Sequence, residues 1–129
     1  MKIDYAARAR SLVGTRFRAQ GRSQEGLDCV GVVLSTFDIA AEGVRADYTL
    51  RGSHLADLRG QLLRHFRKVS KSASAAGDVM LLEAGEQQPH LAVRTDRGFV
   101  HAHAGVRRVV ETPGMPEWPL LGVYRKRSR

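Results

Sequence analysis

The chain contains one cysteine, Cys29, and places three of its five histidines, His90, His101 and His103, in its second half. A thiol, an imidazole that takes its proton and a polar group that orients the imidazole make up the nucleophilic chemistry of cysteine hydrolases. Cys29 follows Gly26-Leu27-Asp28 and precedes Val30-Gly31-Val32-Val33-Leu34, a pattern that reads as the capped start of a buried helix. At such a position the first backbone N–H groups and the helix dipole favour a thiolate. Taken alone, a single cysteine in an apolar run reads equally well as a small buried hydrophobe.

Strand alternation puts His101 and His103 on one face and Val100, Ala102 and Ala104 on the other, and turns His90 away from Leu91 and Val93. If the two strands are hairpin neighbours, the imidazoles line up on one sheet surface, and the cysteine helix is the natural element to pack on that sheet. Cys29, His90, His101 and His103 could instead ligate a metal, but they lack the close paired spacing of structural zinc sites. No metal and no other cofactor is expected.

The elements that must hold these residues are legible in outline. Ile3, Ala6 or Ala7, Ala9 or Arg10 and Val13 recur at helical spacing before Gly14, predicting a short helix over 3–13. Residues 14–26 contain three glycines and little apolar pattern, and read as a loop leading to the site. A largely buried helix runs from Cys29 to about Ala41, with Gly43 beyond it. Ser53 is a plausible N-cap for a second amphipathic helix with the stripe Leu55, Leu58, Leu62, Leu63 and Phe66; His54 and His65 read as surface residues of it. After the small-residue stretch 70–77, short β-rich runs follow at 79–83, 91–94, 99–103, 108–111 and 120–124, with hairpin loops at 85–89 and 95–98. Helices first and an antiparallel meander afterwards define an α+β domain, with N-terminal helices packed on a C-terminal sheet.

At 129 residues, 43% of them apolar and 26% charged, the chain is expected to be one soluble domain spanning 1–129, with a basic tail over about 125–129. One cysteine excludes an intrachain disulfide. The N-terminus is charged where a signal peptide is apolar, and no run reaches membrane-spanning length, so cytoplasmic synthesis is expected. The net charge of +8 suits an acidic partner. Nucleic acid is the less favoured one, because the basic residues are scattered and no aromatic-rich strand for stacking bases is present.

Leu27-Asp28-Cys29-Val30-Gly31-Val32-Val33 resembles the Asp-Cys-Ser-Gly-Leu-Val signature of the NlpC-type cell-wall peptidases. Gly14-Thr15-Arg16-Phe17-Arg18 resembles that family's Gly-Thr-Pro-Tyr segment, and Ala76-Gly77-Asp78-Val79-Met80 its Pro-Gly-Asp-Leu strand entry. His90-Leu91-Ala92-Val93 resembles the catalytic-histidine strand, and Phe99-Val100-His101-Ala102 the strand carrying the third polar residue. Arg107-Arg108-Val109-Val110-Glu111 and the segment from Leu120 to Arg125 resemble the compact branch found in phages and prophages.

The resemblance implies a papain-like fold and a Cys-His-His site: Cys29 as nucleophile, His90 as general base and His101 orienting it. It implies hydrolysis of amide bonds in peptidoglycan stem peptides, of the D-glutamyl-diaminopimelate type, without a metal. It also implies a protein carried with phage tail proteins and acting in the periplasm or cell wall. Asp28, Phe17 and His103 are expected at the substrate or oxyanion side of the site. Two departures stand out: Val30 replaces the usual serine, and Phe17 replaces a tyrosine whose hydroxyl reaches the site. Loss of one oxyanion donor can cost about two to three orders of magnitude in rate. A catalytically weak or inactive tail-tip or wall-binding domain on the same fold is therefore the alternative.

Overall fold

Along β4 (Val79–Glu83) and β5 (Pro89–Arg94), Val79, Leu81, Leu91 and Val93 alternate with Met80, Leu82 and Ala92, and both sets are buried. The sheet they belong to is thus covered on both faces. The first set joins a large core with the helices, and the second joins a smaller cluster with Phe99, Trp118 and Leu120. The computed structural model describes residues 3–17, 22–23, 26–40, 55–84 and 89–127. Gly43, Ser53, His54 and most of the expected 85–89 loop lie outside the described residues.

The elements run α1 (Tyr5–Arg10), β1 (Arg22–Ser23), β2 (Gly26–Leu27), α2 (Cys29–Phe37), α3 (Leu55–His65), β3 (Phe66–Val69), a 3₁₀ turn over Lys71–Ala73, then β4, β5, β6 (Gly98–His103), β7 (Arg108–Pro113) and β8 (Leu120–Lys126). Among the described residues, β1 and β2 form a small antiparallel ribbon, and the main sheet has six antiparallel strands in the order β3-β8-β4-β5-β6-β7. The meander expected from the sequence covers β4 to β7, and β8 returns to lie between β3 and β4. Helices packed on an antiparallel sheet are the α+β arrangement the patterning predicts. Among the described residues no helix is long and apolar enough to cross a membrane.

Several boundaries differ from the sequence expectation for physical reasons. α1 stops at Arg10, leaving Ile3 and Val13 exposed while Ala6 and Ala9 are buried. The chain leaves the helix through Gly14, at φ +97°, and pairs with β7: the Gly14 N–H donates to the Val109 carbonyl at 2.8 Å, and the Val109 N–H to the Thr15 carbonyl at 2.8 Å. α2 ends at Phe37 and not near Ala41, because Asp38 takes the left-handed conformation at φ 55° and supplies the stop. Phe66 does not close the α3 stripe but opens β3, where its ring meets Phe37 edge-on at 4.9 Å; Leu63 is exposed. The basic end of the chain is no solvated tail at Arg125. That residue lies in β8, and its Nε and Nη2 donate at 2.8 Å to the two carboxylate oxygens of buried Asp78.

Candidate active site

α2 is buried nearly all round, which fixes its first turn against the sheet. Asp28 is its N-cap: Oδ1 accepts the Gly31 N–H at 2.7 Å, and the Asp28 carbonyl accepts the Val32 N–H at 2.9 Å. Cys29, 2% exposed, is the first helical residue, in the field of the helix N-terminus. The carboxylate expected near substrate therefore has a cap to form, and it lines the cleft as well.

The imidazoles are placed by a parting of strands. β5 and β6 pair only at Val93↔Val100 and Arg94↔Phe99. Continued, that register would set His90 opposite His103. Instead His90 stays paired with β4, opposite Leu82, and His101 stays paired with β7, opposite Val110. Across the gap, His90 Nε2 and His101 Nδ1 lie 2.9 Å apart, with their rings at 82°. α2 packs on the Leu91 and Val93 face, whereas the imidazoles belong to the opposite face. Cys29 and the imidazoles nonetheless line one cleft of about 330 Å³, together with Phe17, Asp28 and Trp118 among others.

His101 is buried and reaches further: its Nε2 lies 3.1 Å from Thr112 Oγ1 on β7. A hydrogen-bonded row thus runs His90–His101–Thr112. Trp118 stands edge-on to both rings, at 5.4 Å from His90 and 5.8 Å from His101. Burial first, then the neighbouring His101 and His103, push His90 down to about 3; burial and His103 push His101 down to about 4. Both rings are neutral at physiological pH, the state that can accept a proton.

His103 lies alongside His101, ring centroids 5.6 Å apart, but its Nδ1 accepts the N–H groups of Gly105 and Val106 at 3.1 and 3.2 Å. It closes the β6–β7 turn and is not hydrogen-bonded into the row. Phe17 lines the cleft, and its N–H donates to the Arg107 carbonyl at 3.0 Å. Among the described residues no group of three His, Cys, Asp or Glu side chains is arranged to hold a metal ion.

Sequence reasoning missed Thr112 and Trp118. Parity could have found Thr112, since 110 and 112 share the strand face opposite Phe99 and His101, had β7 been extended past Glu111. Trp118 lies on an irregular segment between β7 and β8 and carries no periodic signal.

A cysteine at the N-terminus of a buried helix, set against an antiparallel sheet that carries the imidazoles, is the papain-like α+β arrangement. The fold is that of the NlpC/p60 proteins. It matches NlpC1 from Trichomonas vaginalis with a TM-score of 0.71 at 14% identity, over 97% of this chain and 44% of that one. It matches the peptidoglycan hydrolase RipB from Mycobacterium tuberculosis with a TM-score of 0.60 at 17% identity, over 95% of this chain and 62% of that one. By sequence, the chain is 27% identical over 108 residues to the murein DD-endopeptidase MepS/murein LD-carboxypeptidase of Escherichia coli strain K12, over 81% of this chain and 51% of the relative. It thus spans about half the length of the curated relatives it matches. No family model matches.

Proposed function

We propose that the protein is a cysteine peptidase that hydrolyses amide bonds in peptidoglycan stem peptides, with Cys29 as nucleophile, His90 as general base and His101 as the residue that orients it. The observation that carries this reading is the hydrogen bond between His90 Nε2 and His101 Nδ1 in the cleft that Cys29 also lines. The similarity to proteins described as murein endopeptidase and peptidoglycan hydrolase supports the substrate class.

The row of hydrogen bonds has one arrangement that leaves a ring nitrogen of His90 unprotonated and outside the row. His90 donates its Nε2–H to His101 Nδ1, and His101 donates its Nε2–H to the Thr112 hydroxyl. Nδ1 of His90 then keeps its lone pair for the thiol proton. Sγ of Cys29 bonds to the scissile carbonyl carbon as its proton passes to Nδ1, and the helix N-terminus stabilises the developing oxyanion. The C–N bond breaks, and the leaving amine takes the proton from His90. Water then attacks the thioester, giving a proton to Nδ1, and that proton returns to the departing thiolate. Trp118 packs edge-on against both imidazoles and adds to the burial that keeps them neutral.

The D-glutamyl-diaminopimelate bond and delivery with a phage tail belong to this proposal through the sequence resemblance alone. Phe17 favours a second reading, a domain that binds wall peptides with little turnover, because its ring brings no hydroxyl to the cleft. Digestion of purified peptidoglycan separates the two. Muropeptides released by the wild type and absent with Cys29→Ala support the peptidase; retention of the protein on the wall with no release supports the binding domain.

A further inference from the structure

Not all the arginines of this basic chain are paired alike. Arg10 grips Glu111 and Asp96, and Arg125 grips Asp78. Arg16, Arg107 and Arg108 form no ion pair among the described residues, yet these exposed side chains line one open hollow of about 600 Å³ together with Phe17 and Ala104. Phe17 and Ala104 also line the cleft of Cys29, so the two spaces adjoin.

The backbone holds these charges together at an electrostatic cost. Arg16 and Arg108 are direct cross-strand partners, an arrangement in which like charges destabilise the pairing. Arg107, at φ 59°, occupies the left-handed region that side chains seldom adopt, and its carbonyl accepts the Phe17 N–H and a 3.2 Å bond from the Arg108 guanidinium. A shared anion offsets the repulsion, and guanidinium forks match a carboxylate in geometry as well as sign.

We infer that the cleft continues past Phe17 and Ala104 into an arginine-lined subsite that binds a carboxylate of the ligand held against Cys29. This deepens the peptidase reading, on which it rests for the peptide nature of the ligand. The subsite selects peptides bearing a free carboxylate beside the scissile bond over their amidated counterparts.

The test pairs bromoacetyl-Gly-Gly with its C-terminal amide, both alkylating Cys29. At low salt the carboxylate form is expected to react about fivefold faster, the upper end of what one exposed ion pair supplies. That ratio falls toward one in the Arg16→Gln/Arg108→Gln protein and in high salt. A ratio near one in the wild type, or a ratio that survives the double substitution, overturns the subsite. If neither probe reacts faster than a free thiol, the peptidase reading fails and the subsite is judged by binding alone. Calorimetry of acetyl-Gly-Gly and its amide on Cys29→Ala protein then decides: a carboxylate preference abolished by the two arginine substitutions supports it, and equal binding overturns it.

Discussion

Acidification should unfold this protein in a range where its carboxylates are silent. His90 and His101 are held neutral, down to about 3 and 4, by burial first and then by their neighbours, His101 and His103 for His90 and His103 for His101. In the unfolded chain both return to about 6.5. Each therefore binds its proton less tightly when folded. The stabilisation is complete above about pH 6.5 and is lost as pH falls from there toward the folded values. At pH 5 the unfolded imidazoles are almost fully protonated and the folded ones almost free, which costs about 2 kcal/mol per histidine, or about 4 kcal/mol for the pair. Glu111, held below the ordinary carboxylate range by Arg10 first and Thr95 second, adds its loss only at lower pH. Urea unfolding at pH steps from 7.5 to 5 reads the effect, with a slope approaching two protons. In the His90→Gln/His101→Gln protein that slope should vanish. Stability unchanged between pH 7.5 and 5 in the wild type would refute the sealed, neutral imidazole pair and the base it provides.

Other outcomes follow from the same contacts. Thr112→Val removes the acceptor for His101 Nε2–H, and should lower kcat about tenfold with little change in KM, as expected for a lost orienting hydrogen bond; Thr112→Ser should restore it, and peptide hydrolysis kinetics decide. Gly98→Ala places a Cβ into the Thr112 carbonyl oxygen and against the Pro113 Cα, displacing β7 and costing about 3 kcal/mol in urea unfolding. Thr36 is fully buried and its Oγ1 has no hydrogen-bond partner among the described residues, so Thr36→Val should raise stability by about 1 kcal/mol in thermal unfolding.

How much of this was legible depended on how local the physics was. Asp28 before Cys29 announced a capped helix, and the apolar run after it announced burial; both are properties of neighbours in sequence. Alternation likewise placed His90, His101 and His103 on one face. Their mutual geometry was not legible, because it depends on where β5 and β6 stop pairing while each stays paired with its other neighbour, which alternation does not encode. The thiol likewise sits in the core on the Leu91 and Val93 face and not over the histidine face. Phe66 looked like the last rung of a helical stripe, since an apolar residue satisfies a helix and an adjoining strand equally; only pairing with β8 distinguishes them. Arg125 looked like tail because its partner, Asp78, lies far away in sequence.

The central claim is that Cys29 and His90 work as nucleophile and base. The rate of Cys29 alkylation by iodoacetamide at pH 6, followed by mass spectrometry, tests it most directly, because an unassisted thiol is almost wholly protonated there. The wild-type protein should react at least tenfold faster than a free cysteine, and His90→Ala should remove that advantage. Alkylation no faster than a free thiol, or an advantage that His90→Ala leaves in place, would contradict it.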